Sequence, residues 1–380
     1  MTVSEELYKC VVTRNWSSEA VGQLLQHEGT PMLLLDKGVL QQKYEQVRNE
    51  LPDATVYYAL KANPDPNVAE FLKNLGAGFE ISSEGELDLL LDLGVSPYRI
   101  ISSNPVKTQG FISAAYSVGI DLFAFDSYAE IEKLSANAPG SRVCVRLSVS
   151  NEGSEWPLSL KFGVETEQAV ELLVQARERG LKPEGIVFHV GSQCTNLDTW
   201  IKAIEKSRVV WESVRRKGVT LQTLNIGGGF PIRYTKSSPS AAEVAEVLKS
   251  ALCRIFPEGV KLIVEPGRVL VGEAGVLVSS VIAMAEREGQ RWLYLDIGVF
   301  NGLMETVGGI KYPIAAAKEG TATQWVLAGP SCDSFDVIDP EVILPELAVG
   351  DRVYIMSAGA YTTAYASHFN GFPVPKIFLV

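Results

Sequence analysis

The sequence from Val56 to Pro64 reads VYYALKANP, an apolar run with the length and composition of a buried β-strand that ends in Lys61. Most lysines at the ends of strands are solvated, so this segment alone predicts only a strand. Seven later runs of four to eight mostly β-branched or aromatic residues have the same form. They are 78–81, 99–103, 121–126, 142–146, 185–190, 223–227 and 261–265.

Stretches with helical spacing of apolar residues lie between these runs, as at 84–91 and 168–174. Strand and helix therefore alternate eight times. Such alternation predicts parallel strands with helices outside them, and eight repeats predict a closed (β/α)8 TIM-type barrel, which is an α/β fold, over residues 36–270. A doubly wound open sheet is the alternative.

The tail of the chain has a different pattern. Its strand-like runs, at 276–284, 292–295, 324–327 and 353–356, are separated by Gly, Asp and Pro and show little helical periodicity. We therefore predict a second, mostly antiparallel β domain that is formed from both termini, residues 1–35 plus 271–380.

Composition excludes several classes of protein. A formal net charge of −11 argues against nucleic acid as a partner, because binding phosphates requires a basic face. No apolar run reaches the roughly 20 residues of a membrane-spanning helix, and the first residues lack the features of a signal peptide. The five cysteines have neither metal-type nor disulfide-type spacing, which predicts a cytoplasmic protein without a metal site.

Polar side chains or glycines stand at the carboxyl end of every predicted barrel strand, and this is the end at which barrel enzymes carry their active sites. We therefore expect an active site there. For Asp126 we expect a different role, capping the helix that follows. The residues at these ends are Lys61, Glu80, Asn104, Asp126, Arg146, His189, Gly227–Gly229 and Glu265.

The three glycines at 227–229 follow a strand directly, and their backbone amides could close around a phosphate. A flexible turn explains a triple glycine equally well. Arg268, beside Gly267, and Ser192 would add a cation and a hydroxyl to such a phosphate site.

Glu265 would be repelled by a phosphate unless a cation lay between the two groups. The protonated ring nitrogen of pyridoxal 5'-phosphate would be that cation, and Lys61 would form the Schiff base with the same cofactor. His189 would stack on the ring, the alternative being a packed aromatic residue with satisfied ring nitrogens.

With these motifs the chain resembles the fold type III pyridoxal-phosphate decarboxylases, the group that includes ornithine and diaminopimelate decarboxylases and shares its barrel with alanine racemase. The resemblance covers nearly the full length. It is carried by seven ordered motifs: 58–63 (YALKAN), 188–192 (FHVGS), 227–231 (GGGFP), 265–268 (EPGR), 329–334 (GPSCDS), 359–362 (GAYT) and 369–372 (FNGF).

The resemblance implies a role for each matching residue. Lys61 would bind the cofactor covalently, His189 would stack on its ring and Glu265 would face its ring nitrogen. The other cofactor-binding residues would be Glu80, Arg146, Ser192, Gly228, Gly229, Gly267, Arg268 and Tyr361. Cys332 would protonate the substrate carbon after carbon dioxide leaves. Because the matching segment of the family reaches into the partner's barrel, the resemblance also implies a homodimer with shared active sites.

The substrate implied by the resemblance is a small basic L-amino acid. Asp333 would pair with its terminal ammonium, and Phe369 and Tyr361 would complete the substrate site. Diaminopimelate enzymes have glutamate at the position of Asp333, so decarboxylation of L-ornithine to putrescine, a step of polyamine biosynthesis, is favoured.

Two departures from the family pattern keep alternatives open. Residues 306–311 read TVGGIK and lack the acid that similar ornithine decarboxylases carry there, which leaves room for lysine, a shorter diamino acid or a distally conjugated amino acid of a specialised pathway. Asn225 stands where the family often has aspartate, a deviation to which the sequence assigns no consequence. A non-catalytic regulator on the same fold is the alternative of another class.

Overall fold

The computed structural model describes residues 19–158, 161–316, 318 and 320–380. The strands are β1 (Met32–Leu35), β2 (Ala54–Ala59), β3 (Gly78–Glu80), β4 (Ile100–Ile101), β5 (Leu122–Phe125), β6 (Arg142–Arg146), β7 (Ser154–Trp156), β8 (Lys182–Val187), β9 (Ser192–Cys194), β10 (Thr223–Asn225), β11 (Lys261–Val264), β12 (Gly275–Arg287), β13 (Gln290–Leu295), β14 (Ile314–Ala316), β15 (Thr323–Ala328), β16 (Val337–Leu344), β17 (Arg352–Met356) and β18 (Lys376–Leu379).

The α-helices are α1 (Glu19–Glu28), α2 (Lys37–Glu50), α3 (Pro66–Asn74), α4 (Glu84–Asp92), α5 (Gln109–Ser117), α6 (Tyr128–Asn137), α7 (Thr166–Glu178), α8 (Leu197–Arg216), α9 (Ala241–Ile255) and α10 (Arg268–Val271). The chain divides into two compact units. Of the described residues, the barrel unit comprises those in Gln41–Ile232 and Ser238–Val269, and the β unit comprises those from Glu19 to Leu40 and in Arg233–Ser237 and Leu270–Val380.

The barrel unit contains eight parallel strands that follow one another around a ring in the order in which they occur along the chain. The ring runs β2, β3, β4, β5, β6, β8, β10 and β11, and β11 pairs with β2 again. A single parallel bridge between Ser102 and Phe123 joins β4 to β5 and completes it. The predicted TIM-type barrel is therefore confirmed, and the open doubly wound sheet is excluded.

Strand register determines which side chains face the barrel interior. Residues in register point to the same side of a sheet, and successive residues alternate between its faces. The buried interior cluster consists of Ile101, Leu122, Ala124, Cys144, Val187 and Ile263, with Tyr57 packed against it. The residues two positions further on, at the carboxyl ends, therefore form the next interior layer, and they include Ser103, Arg146, His189 and Glu265.

Polar caps start the helices soon after the barrel strands end. The side chains of Asp65, Ser83 and Thr108 accept backbone N–H groups at the starts of α3, α4 and α5. The prediction that Asp126 caps the helix after its strand is wrong. Ser127 is the cap of α6, and Asp126 instead accepts the amide of Gly163 at 2.9 Å. Asp126 therefore holds a loop rather than a helix start.

The β unit is an eight-stranded mixed sheet in which most pairs are antiparallel. Its main path is β14, β17, β12, β13, β15 and β16, and β1 pairs antiparallel with β12 and parallel with β18. Helix α1 packs Val21 and Leu25 onto apolar residues of β1, β12 and β17. The predicted mostly antiparallel β domain formed from both termini is confirmed as a fold, while residues 1–18 of the predicted range 1–35 lie outside the described residues. The sequence did not identify β14, β16 or β18.

Within the described ranges, none of the helices combines the length and the apolarity that crossing a bilayer requires. The same ranges contain no group of three or more His, Cys, Asp or Glu side chains that could hold a metal ion. In this part of the chain Cys144, Cys194, Cys253 and Cys332 are free thiols.

Candidate active site

Lys61 lies on a single 3-10 turn, Leu60–Ala62, directly after β2. Both of its neighbours on that turn are buried, whereas the Lys61 side chain is 44% exposed and ends in an ion pair with the carboxylate of Glu80. Glu80 stands at the end of the adjacent strand and is 1% exposed. An accessible lysine is thus held in place by an ion pair with a buried carboxylate on the adjacent strand.

Glu265 is a second buried carboxylate, and it directly follows β11. Its Oε1 accepts hydrogen bonds from the Ser103 hydroxyl and, at 2.6 Å, from Nδ2 of Asn225. Burial raises the pKa of Glu265, and the nearby charge of Glu80 acts in the same direction. Lys61 and the two hydrogen-bond donors oppose this shift. A cationic group bound against Glu265 would compensate its charge further.

His189 follows β8 and is neutral at physiological pH, because burial and the charges of Arg146 and Lys61 lower its pKa well below the ordinary value. Its Nδ1 accepts the backbone amide of Gly191 at 3.0 Å, so the proton of the neutral ring is assigned to Nε2. A neutral aromatic ring held by one edge is suited to stacking against a planar ligand.

Arg146 ends β6 and is 8% exposed. Burial lowers its pKa, while the carboxylates of Glu265, Glu80 and Asp126 act to raise it. Among the described residues no carboxylate lies within 4 Å of its guanidinium. The side chain therefore contributes a buried positive charge on which the charges of the buried Glu265 and Glu80 act.

The glycine segments after β8, β10 and β11 approach one another closely. A Cβ at Gly229 would lie 2.5 Å from the carbonyl oxygen of Gly191, and one at Gly228 would lie 2.7 Å from the carbonyl oxygen of Glu265. A Cβ at Gly267 would lie 2.9 Å from that of Ala62, on the turn that carries Lys61. Each of these glycines is therefore required by a close approach of backbone to neighbouring atoms.

A cation and a hydroxyl meet at these same glycine segments. The buried guanidinium of Arg268 donates to the Ser192 hydroxyl from Nη2 at 3.0 Å and from Nε at 3.3 Å. Backbone amides, a hydroxyl and a guanidinium are the groups that bind a phosphate in proteins. The predicted phosphate residues Ser192, Gly228, Gly229 and Arg268 thus lie on converging segments of the barrel unit.

Cys332 and Asp333 are exposed on the β unit. The amide of Cys332 donates to Oδ1 of Asn370 at 3.0 Å, which brings the segment of Cys332 to the segment of Phe369. Phe369 packs against Phe300 with ring centroids 4.7 Å apart. The structure thereby joins two of the motifs that the sequence singled out, GPSCDS and FNGF.

Two other features of the β unit were singled out by the sequence. Tyr361 has a positive φ of 56° and stacks on Tyr365 at 5.6 Å between ring centroids. The segment that lacks the expected acid begins in the 3-10 helix Met304–Gly308, where Glu305 is buried and Val307 is exposed.

Sequence reasoning missed Ser103, since it placed Asn104 at that strand end, and it gave no role to Asn225. Both residues hydrogen-bond Glu265. The two-residue alternation along the strands was the available signal, because it puts Ser103 and Asn225 on the same face as Glu265.

This arrangement fits pyridoxal 5'-phosphate. It offers an accessible lysine with an adjacent base, a buried carboxylate suited to a protonated ring nitrogen, a neutral aromatic ring and a phosphate-binding set of groups. The fold and the site together define the class of a barrel enzyme that uses this cofactor.

The chain belongs to the family of pyridoxal-dependent decarboxylases, since residues 37–272 match the family's pyridoxal-binding domain. A lysine/ornithine decarboxylase of Selenomonas ruminantium is 36% identical over 360 residues, which are 94% of this chain and 91% of that protein. Antizyme inhibitor 2 of Xenopus laevis is 34% identical over 384 residues, 95% of this chain and 83% of that protein.

Solved structures give the same result. A lysine/ornithine decarboxylase of Vibrio vulnificus complexed with cadaverine is 37% identical, covers 95% of this chain and 97% of its own, and superposes with a TM-score of 0.89. The same enzyme complexed with putrescine superposes with a TM-score of 0.88. The predicted fold, enzyme class and cofactor are confirmed: the protein is an amino-acid decarboxylase whose cofactor is pyridoxal 5'-phosphate.

Proposed function

We propose that the protein decarboxylates a small basic L-amino acid, with L-ornithine and its product putrescine favoured and lysine as the main alternative. The observation that carries this proposal is that Lys61 lies close enough to His189 and to Glu265 for its charge to lower the pKa of both buried groups. The relatives from Selenomonas ruminantium and Vibrio vulnificus are both named lysine/ornithine decarboxylases, which supports ornithine and lysine as the two substrates to compare.

The cofactor would be held by the barrel residues just described. When bound, it supplies a protonated ring that accepts the electrons released as the carboxyl group leaves. Lys61 would bind it covalently, Glu80 would take up the proton of Lys61 Nζ, and Glu265 would keep the ring nitrogen protonated. Arg268, Ser192 and the glycines 228, 229 and 267 would hold the phosphate, together with Tyr361. Arg146 would balance the two buried carboxylates.

The substrate site would be completed by residues of the β unit. The Cys332 thiol would deliver the proton that replaces the lost carboxyl group, so the substrate carbon loses carbon dioxide and gains one hydrogen. Asp333 would pair with the distal ammonium of the substrate, and Phe369 would line the same site. Both polar groups stand exposed on their own unit, as residues that serve another subunit's barrel must be.

A homodimer with shared active sites follows from this division of roles. A site made from Lys61 of one subunit and Cys332 of the other requires two copies of the chain. Localisation in the cytoplasm and a role in polyamine biosynthesis stay predictions, supported by the free thiols and by the favoured substrate.

The substrate is tested by incubating the cofactor-loaded protein separately with ornithine, lysine, arginine, 2,4-diaminobutyrate and diaminopimelate and measuring carbon dioxide release, with Lys61→Ala as the control. We expect strong release from ornithine or lysine and none from diaminopimelate. No release from any of the five, with the cofactor still covalently bound, would contradict the proposal. That result would direct attention to a distally conjugated substrate and to the segment 306–311.

A further inference from the structure

Asn225, the last residue of β10, makes two side-chain hydrogen bonds inside the barrel. Its Nδ2 donates to Oε1 of Glu265 at 2.6 Å, and its Oδ1 accepts the backbone amide of Gly227 at 2.9 Å. Asn225 is 3% exposed and Glu265 is 4% exposed, so water does not replace either bond readily.

The amide orientation of Asn225 is fixed by what its neighbours can do. A backbone N–H can only donate, so the group facing Gly227 must be the amide oxygen. The NH2 group therefore faces Glu265, which must accept. The Ser103 hydroxyl donates to the same oxygen of Glu265. Two donors on one carboxylate oxygen favour the ionised form of that carboxylate.

The second bond connects this carboxylate to the glycine segment. Gly227 has a positive φ of 67°, and its carbonyl oxygen accepts the backbone amide of Glu265 at 2.8 Å. Gly228, the next residue, lies against the carbonyl oxygen of Glu265 and Nε2 of His189. One side chain thus touches both the carboxylate that would meet the ring nitrogen and the loop that would meet the phosphate.

We propose that Asn225 is a positioning residue, which fixes the Glu265 carboxylate as a hydrogen-bond acceptor and, through Gly227, sets its position relative to the phosphate loop. The inference rests on the proposed roles of Glu265 and of the glycine segment. An aspartate could still accept from Gly227, but its second oxygen would face the Glu265 carboxylate, and the two would have to share a proton.

Other charges act on Glu265 as well, and the test has to separate them from Asn225. They are the buried Glu80, which opposes ionisation, and Lys61, which favours it, while Arg146 contributes its charge from β6. None of these residues differs between variants at position 225, so a pH-dependent difference between the variants originates from the side chain introduced there.

The first experiment measures the unfolding temperature of the apoprotein between pH 5.5 and pH 8.5 for wild type, Asn225→Asp and the uncharged control Asn225→Ser. In Asn225→Asp the paired carboxyls need a proton in the folded state, so their folded pKa lies above the unfolded value of about 4. The stability of this variant relative to wild type is then lost as pH rises. We expect its deficit in unfolding temperature to widen with pH, and that of Asn225→Ser to stay constant.

Repeating the comparison in proteins that also carry Glu265→Gln tests whether Glu265 is the carboxyl that shares the proton with Asn225→Asp. Replacing this carboxylate should abolish the widening caused by Asn225→Asp, because no second carboxyl remains to share a proton. A deficit that is the same at every pH would overturn the proposal. So would a widening that persists with Glu265→Gln, or an Asn225→Asp protein that is unfolded even at pH 5.5 while Asn225→Ser folds.

The second experiment tests the connection to the phosphate loop, with inorganic phosphate as the probe of the apoprotein. Asn225→Ala should weaken phosphate binding about fivefold, the value of one lost hydrogen bond. The matched variant Ser103→Ala loses a donor to the same Glu265 oxygen but no contact with Gly227, so its phosphate affinity should equal that of wild type. Equal affinities in Asn225→Ala and wild type would overturn the connection.

These results can be distinguished from a failure of the proposed function. If wild type binds the cofactor covalently and releases carbon dioxide from ornithine while the variants behave alike, only the role of Asn225 is wrong. If wild type does neither, the proposed function fails, whatever the variants show.

Discussion

At the scale of one residue, burial and neighbouring charges keep the His189 ring neutral, which favours the stacking role proposed for it. Its pKa is lowered by burial and by the charges of Arg146 and Lys61, so the ring carries no charge when the enzyme works. A neutral ring whose Nδ1 is already bonded to Gly191 is poorly placed to transfer protons but well suited to stacking.

We therefore expect His189→Phe to keep cofactor affinity within about threefold of wild type, and His189→Ala to lose about tenfold, the value of an aromatic contact of roughly 1.5 kcal/mol. Equilibrium dialysis of the cofactor against each apoprotein measures both. Equal losses in the two variants would mean that the bond to Gly191, and not the ring face, is what matters.

Asp333 is expected to act on the substrate alone. Asp333→Asn keeps the oxygen that accepts the Phe335 amide but removes the charge that would meet a distal ammonium. The KM for ornithine should rise at least about tenfold, since a hydrogen bond to a charged group contributes roughly 1.5–3 kcal/mol. Cofactor affinity should not change.

Glu341→Gln is the matched control for this prediction, because it removes the charge of another exposed acid, on β16 of the same unit. It should leave KM unchanged. A similar loss of cofactor affinity and of ornithine binding in Asp333→Asn would contradict a role limited to the substrate.

At the scale of an element, the segment after β10 requires glycine at position 228 because neighbouring atoms lie very close to its backbone. The backbone conformation of Gly228 itself is not the reason. A Cβ there would lie 2.7 Å from the carbonyl oxygen of Glu265 and 3.2 Å from Nε2 of His189. Gly228→Ala should therefore destabilise the apoprotein by about 1–3 kcal/mol and weaken cofactor binding. Chemical denaturation and equilibrium dialysis measure the two effects.

Gly85, in the first turn of α4, is the matched control, because nothing lies within 4 Å of the position of its Cβ. Gly85→Ala should be neutral or stabilise by up to about 1 kcal/mol, as alanine is the better helix former. If both alanine variants behaved alike, the close approach at Gly228 would not be what fixes the site.

The sequence was most informative where one strand carried both an apolar run and a functional residue. Lys61, His189 and Glu265 could be singled out as candidates because each follows a recognisable strand at its carboxyl end. Ser103 was missed because β4 has only two residues, so the sequence run 99–103 did not show which residue after the strand continues its inward-facing alternation.

Elements that depend on distant partners could not be predicted. Strand β16 contains Pro340, which argues against a central strand, but β16 lies at an edge of its sheet, where a proline is tolerated. Strand β18 is recognisable only through its pairing with β1, at the other end of the chain. The bond between Cys332 and Asn370 spans 38 residues and leaves no local signal.

For the whole molecule, the shared-site proposal makes a prediction about mixed subunits. Lys61→Ala and Cys332→Ala proteins should each have little activity alone. After subunit exchange, half of the dimers are hybrids and each hybrid has one intact site, so activity should recover to about a quarter of wild type. The rate of carbon dioxide release from ornithine measures the recovery.

Subunit exchange has to be demonstrated independently, by isolating hybrids in which only one of the two subunits carries an affinity tag. Hybrids without recovered activity would show that each site is built from a single chain. The control is a mixture of Lys61→Ala with a second protein that also carries Lys61→Ala, which should gain nothing.

Covalent binding of the cofactor by Lys61 is the step on which the proposed function depends most directly. The measurement is borohydride reduction of the cofactor-loaded protein, followed by proteolysis and mass mapping of the modified peptide, with Lys61→Ala alongside. We expect one pyridoxyl group per chain, on Lys61, and none in the variant. A pyridoxyl group on another lysine, or an unchanged yield in Lys61→Ala, would contradict it.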